Sequence, residues 1–295
     1  MKAHLQGHPM GTARPYHTRQ PNTRRRHIRR LTIPMLAIGV AAALGALGQL
    51  TPRVWLTRPI PVSHEPLSAF PHVVLWAWER PELLDFIDPD TVGVAFLART
   101  LDLSGPDVTV RPRLQPLSVP HNTRLMAVVR IDSDRRRPPD LSWSQRQVAA
   151  AAIAEVSGFA AIAALQIDFD AAVSQRTFYR DLLQDLRHQL PASMPLSMTA
   201  LASWCIYDDW LTGLPVDEVV PMVFRMGADQ RWVRRLLADG DFRAVHCRQS
   251  LGVSTDEPLP TLRDTRRLYV FHPQPWRPAA LSGILEEVRQ WFVNP

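Results

Sequence analysis

The stretch ALQIDFD, residues 164–170, decides the fold reading. As a β-strand it sends Leu165, Ile167 and Phe169 to one face and Gln166, Asp168 and Asp170 to the other. The two carboxylates then share a side, roughly 7 Å apart along the strand. Ionised carboxylates are rarely buried without partners, so a strand with an acidic face needs a polar destination for it. A strand lining the inside of a barrel and rising to its mouth supplies one.

Seven further strand-like runs surround this one: HVVLWAW (72–78), TVGVAFLA (91–98), LMAVVRI (125–131), PLSMTALASW (195–204), EVVPMVFRM (218–226), FRAVHCRQSLGV (242–253) and RLYVFHP (267–273). The Pro-containing VTVRPRLQPL (108–117) reads as an edge strand or insertion. Helical patterns separate several runs. SWSQRQVAAAAIAEVSG opens on serines suited to capping, and SQRTFYRDLLQDLRHQL carries an apolar stripe through Phe178, Leu182, Leu183, Leu186 and Leu190. DQRWVRRLLADG and PAALSGILEEVRQWF complete the set. Alternating strands and helices predict an α/β fold with parallel strands. Eight such strands fit a (β/α)8 TIM-like barrel. The rival, a doubly wound sheet binding a nucleotide, lacks its Gly-rich first turn in WAWERPE.

Residues 1–30 hold eight of the 34 Lys and Arg and none of the 28 Asp and Glu, so the rest of the chain carries about −2. Nucleic-acid binding is not expected, because it needs the basic residues on the folded domain. The basic tail leads into LTIPMLAIGVAAALGALGQL (31–50), twenty residues without a charge, enough to span a bilayer as a helix. With arginines in front, this is a signal anchor in the inner membrane, or a signal peptide cut near Ala46 and Gly48. Either places the remainder outside the cytoplasm, in the periplasm. Residues 51–70, with four prolines, read as a linker, and 71–295 as the barrel. Cys205 and Cys247 form a disulfide there, or stay as two buried thiols. No metal-site spacing appears, and no cofactor is called for.

Active sites of such barrels lie at the C-terminal ends of the strands. The same alternation brings Trp76 and Trp78 to the end of the first strand, with Glu79 just beyond, and Arg130 to the third. Trp204 closes the fifth and Arg225 the sixth, while His272 ends the eighth with Trp276 beyond. Aromatic rings, carboxylates and arginines in one place point to a carbohydrate. Glycosidic cleavage uses two carboxyl groups, and neighbouring carboxylates raise one pKa, as a general acid requires. Asp170 is the expected acid/base, Asp168 its partner, and the other eight residues are expected to hold substrate.

The segments VVLWAWERPELL, VGVAFLA, ALQIDFDAAVSQRTFYRDLLQDLR, PLSMTALASWC, LPVDEVVPMVFRMG and SLGVSTDEP resemble a bacterial family known as domain of unknown function 3142. The resemblance spans roughly residues 70–278 and implies an envelope-associated barrel without an assigned activity. More distantly, the layout is similar to chitinase-like barrel glycoside hydrolases, whose fourth strand ends D-x-x-D-x-D-x-E with the Glu as general acid. Aligning Asp168 and Asp170 with the last two aspartates puts Ala172 where that Glu stands. Shifting by two makes Asp170 the acid. Two functions follow: a barrel that hydrolyses an envelope polysaccharide, or an inert barrel that binds or scaffolds a glycan.

Overall fold

The computed structural model describes residues 65–260 and 266–293. The expected basic tail, the membrane segment at 31–50 and most of the linker lie outside the described residues. No helix among the described residues is long and apolar enough to cross a membrane.

Eight parallel strands form the sheet: β1 (Val73–Ala77), β2 (Val92–Ser104), β3 (Leu125–Ser133), β4 (Ile162–Asp168), β5 (Leu196–Leu201), β6 (Glu218–Met222), β7 (Ser250–Ser254) and β8 (Arg267–Phe271). Each pairs with the next, and β1 pairs with both β2 (Val73 with Val92) and β8 (Val73 with Leu268), closing the barrel. Closure leaves no free edge among the eight. β2 shifts register between Leu97 and Arg99, and its far half, still paired with β3, pairs on its other edge antiparallel with Asp107–Pro112. This is the Pro-containing run expected at an edge. Gly105 makes the turn with φ 51°.

Among the described residues four helices of ten residues or more pack outside: α1 (Trp143–Ala154), α2 (Arg176–Gln189), α3 (Gln230–Asp239) and α4 (Pro278–Val293). The Ser142 hydroxyl accepts from the Gln145 amide and caps α1. α2 buries Phe178, Tyr179, Leu182, Leu183 and Leu186 against the barrel. Burying each such leucine is worth roughly 1.5–3 kcal/mol. The strict (β/α)8 expectation is corrected at three connections. Among the described residues no helix follows β1, β2 or β7. Those connections carry Pro81 and Pro89, then Pro112, Pro116 and Pro120, then Pro258 and Pro260. A proline inside a helix removes an amide donor and clashes with the preceding turn.

Strand alternation sorts two cores. Leu165, Ile167 and Phe169 join the outer one with the helices, while Val74, Trp76, Ala95, Met126, Val128, Ala164, Val220 and Tyr269 fill the barrel. Residues 65–70, at the end of the expected linker, begin with a short helix (Glu65–Ser68). They bury Leu67 and Phe70 against this inner core. The interior also holds polar groups, each satisfied. The buried Glu218 carboxylate accepts from the hydroxyls of Ser197 (2.9 Å), Ser250 (2.8 Å) and Tyr269 (2.6 Å), and from Arg267 Nη1 (2.6 Å). A buried carboxylate persists only with partners of this kind.

Candidate functional site

At the C-terminal ends of the strands opens a cavity of about 500 Å³. Its floor is Trp76, inward-facing on β1 and 3% exposed. The Trp76 indole N–H donates to Gln166 Oε1 (2.9 Å), and Gln166 Nε2 donates to the Ser197 hydroxyl (3.1 Å). Two β4 and β5 side chains thereby fix the plane of the ring. Trp78, Phe224 and Phe271 make the aromatic walls, with Phe224 and Phe271 stacked at 5.9 Å and Trp78 edge-on to Phe271 at 6.5 Å.

Asp168 and Asp170 both line this cavity, as the alternation on β4 requires. Their surroundings differ. Asp168 is buried, accepting from Arg130 Nη1 (3.0 Å) and from the Thr199 hydroxyl (2.8 Å). Arg130 is shared, since its Nε donates to Asp132 (2.8 Å). Burial pushes the Asp168 carboxyl above the ordinary range, with Arg130 opposing and Asp170 adding to the rise. Asp170 stands beyond the strand end and makes no hydrogen bond or ion pair with another described residue. Desolvation raises its pKa as well, Arg130 pulling down and Asp132 pushing up. One carboxyl is thus locked and the other is free to meet a ligand.

The remaining expected residues divide. Arg225 reaches the cavity from a residue with φ 52°, lying 5.1 Å over the Phe271 ring and 3.4 Å from Asp256. Both cavity arginines therefore have carboxylate partners. Glu79 stands outside the lining, exposed and 3.5 Å from Arg111. His272 also lies outside it. Its Nδ1 meets the Thr255 hydroxyl, and burial together with Arg80 lowers its pKa. Trp204 and Trp276 are each 3% exposed in the outer core. Trp204 packs edge-on against Trp210, and Trp276 donates its indole N–H to the Trp76 carbonyl (3.1 Å). A ring so buried offers no face to a ligand.

The lining residues that escaped the sequence reading include Thr199, Phe224, Asp229 and Phe271. Thr199, Phe224 and Phe271 follow the inward parity of their strands, so the signal was present. Asp229 lies on a turn after β6 that no periodicity announces, with left-handed φ at both Arg225 and Gly227. Like Asp170, it makes no side-chain hydrogen bond or ion pair among the described residues. Glu257 pins that turn, accepting from the Arg225 amide (2.8 Å), Gln230 Nε2 (2.7 Å) and Arg234 Nη2 (3.1 Å). A disulfide joins Cys205 and Cys247, with Cα atoms 6.0 Å apart. Among the described residues no group of His, Cys, Asp or Glu is arranged to hold a metal ion.

No curated protein matches the chain significantly. Similar solved structures include a chitinase from Rhizomucor miehei, 11% identical with a TM-score of 0.41, covering 62% of this chain and 69% of that one. Another is the chitinase domain of the spore coat protein CotE from Clostridium difficile, 13% identical with a TM-score of 0.34, covering 56% and 53%. Residues 122–226 match the model of the family described as domain of unknown function (DUF3142), and that stretch holds Arg130, Asp168, Asp170, Thr199, Phe224 and Arg225.

Proposed function

We propose that this barrel binds a polysaccharide across its cavity and cleaves it with Asp170 as general acid. The observation carrying this reading is a contrast. Asp170 is a carboxyl with a raised pKa and no hydrogen-bond or ion-pair partner among the described residues, standing in an open cavity walled by aromatic rings. A protonated Asp170 gives its proton to the glycosidic oxygen as the C–O bond breaks. Asp168, held by Arg130 and Thr199, sets the charge around it. Asp229, the second cavity carboxylate without a hydrogen-bond or ion-pair partner among the described residues, is the group that takes a proton from the attacking water. Trp78, half-buried on the cavity wall, is the sugar platform and Trp76 the floor. With Arg130 and Arg225 already paired to carboxylates, the site favours a neutral or amino-bearing sugar over an anionic one.

Residues 31–50 anchor the protein in the inner membrane with the barrel in the periplasm, or free there if the segment is cut. The Cys205–Cys247 disulfide supports that oxidising compartment. The second reading, a glycan-binding barrel without chemistry, is favoured by Ala172 at the place of the expected acid.

The test follows new reducing ends when the protein and its Asp170→Asn variant meet a panel of bacterial envelope polysaccharides. Release by the wild type alone supports hydrolysis at Asp170. Equal release by both removes Asp170 from the mechanism. Binding without release by either moves the function to the second reading.

A further inference from the structure

Outside the cavity, two rings lie face to face in solvent. Tyr207 and Trp232 are stacked with centroids 5.4 Å apart and planes 17° from parallel, and they are 58% and 41% exposed. Large aromatic surface left in water is costly and marks a contact surface more often than chance.

Their place in the fold ties them to the site. Tyr207 ends a short helix (Trp204–Tyr207) directly after β5, and its amide donates to the carbonyl of Ser203, a cavity-lining residue. Trp232 stands in the first turn of α3, three residues beyond the cavity-lining Asp229. Three residues of helix advance only about 5 Å. The pair therefore stands on the β5 and β6 connections, each of which also carries a cavity-lining residue.

Both supports are fixed. The β5 connection is held by the Cys205–Cys247 disulfide, by Arg176 on Asp208 (2.8 Å) and by Arg243 on both oxygens of Asp209 (3.0 Å each). The α3 start is held by Glu257 through Gln230 and Arg234. Rings mounted this way lose little freedom on binding, which favours affinity.

We infer that Tyr207 and Trp232 form an outer sugar platform, a subsite where the chain of a bound polysaccharide leaves the cavity. The occupant is a glycan rather than a protein segment, because the platform is a single stacked ring pair on the two connections that also supply Ser203 and Asp229 to an aromatic-walled cavity of about 500 Å³. The inference rests on the glycan reading above and adds to it that recognition depends on chain length.

The test uses the full chain, solubilised in a sugar-free detergent, with the cello-, manno- and chitooligosaccharide series from disaccharide to octasaccharide. Trp232→Ala and the double variant with Tyr207→Ala are compared with the wild type. In the series the wild type binds, the variants should lose about tenfold in affinity for the longest oligomers and stay within about twofold for the disaccharide. Long-oligomer affinity unchanged in the double variant overturns the platform alone. An equal loss at every length also overturns it, because damage to the cavity would be the cause. Failure of the wild type to bind any series overturns the glycan reading and the platform with it.

Discussion

Arg130 Nη1 lies 3.0 Å from Asp168 Oδ2, and this contact is the only cation reaching the buried β4 carboxyl among the described residues. Replacing Arg130 by Gln leaves Asp168 with Thr199 alone. Breaking a buried pair from one side costs about 3–5 kcal/mol. Arg130 is one-third exposed, so about 2 kcal/mol is expected near neutral pH. The sign with pH follows from the raised Asp168 pKa. A carboxyl that holds its proton more tightly folded than unfolded loses stability as pH rises through the folded value, and Arg130→Gln raises that value further. The deficit should shrink toward acid. Denaturant unfolding at two pH values checks it, and an equal deficit at both would mean Asp168 is not the orphaned charge.

Asp170 gives a second pH dependence. Its pKa is raised by desolvation and further by Asp132, while Arg130 lowers it. As the acid, it works only while protonated, so kcat/KM should fall as pH rises through its pKa. Asp132→Asn removes a nearby negative charge and frees Arg130 Nε, and both changes lower the Asp170 pKa. The alkaline limb of the profile should move toward acid by a fraction of a unit up to about one unit. A limb that stays in place separates Asp170 from the observed ionisation.

The disulfide joins residues 42 apart in sequence, from the short helix after β5 to the turn before β7. In the chain-entropy account a loop of that size contributes about 4 kcal/mol, subject to any native strain. Cys205→Ala with Cys247→Ala should lower stability by about 2–4 kcal/mol, and reduction of the wild type should reproduce the loss. Thermal unfolding with and without reductant reads both. A wild type indifferent to reductant, beside an equally stable double variant, would deny the bridge its role.

These consequences depend on features of unequal visibility in the sequence. All eight barrel strands were legible as β-branched or apolar runs, although the run expected at 242–253 is a strand only over Ser250–Ser254 and turns as a 3-10 helix at Val245–Arg248, and alternation within them assigned Asp168, Asp170, Trp76 and Trp78 to the cavity side. Alternation stops where a strand stops. β5 ends at Leu201, so Trp204 turns out on a short helix, and β8 ends at Phe271, so Trp276 and His272 leave the rim. Prolines explain why three expected crossovers lack helices. Asp229 was not legible, because two left-handed residues redirect the chain after β6 and Glu257, 28 residues later, fixes the result. Long-range pinning of that kind leaves no local pattern.

Gly252 on β7 is where backbone meets the cavity floor. A Cβ there would sit 2.8 Å from Cη2 and 3.2 Å from Cζ3 of Trp76, closer than side chains tolerate. The indole cannot retreat freely, because its N–H is bound to Gln166 and the Trp76 carbonyl receives the Trp276 indole. Gly252→Ala should therefore cost about 1–3 kcal/mol by overpacking and push the ring into the cavity, weakening ligand binding. Trp76→Phe in the same chain removes the crowded atoms, so the pair should recover part of the stability loss although Trp76→Phe alone is destabilising. That non-additive recovery, read from unfolding midpoints of the four proteins, distinguishes a tight Gly252–Trp76 contact from a general intolerance of β7. Strictly additive losses would show that Gly252 is not what seats the floor of the site.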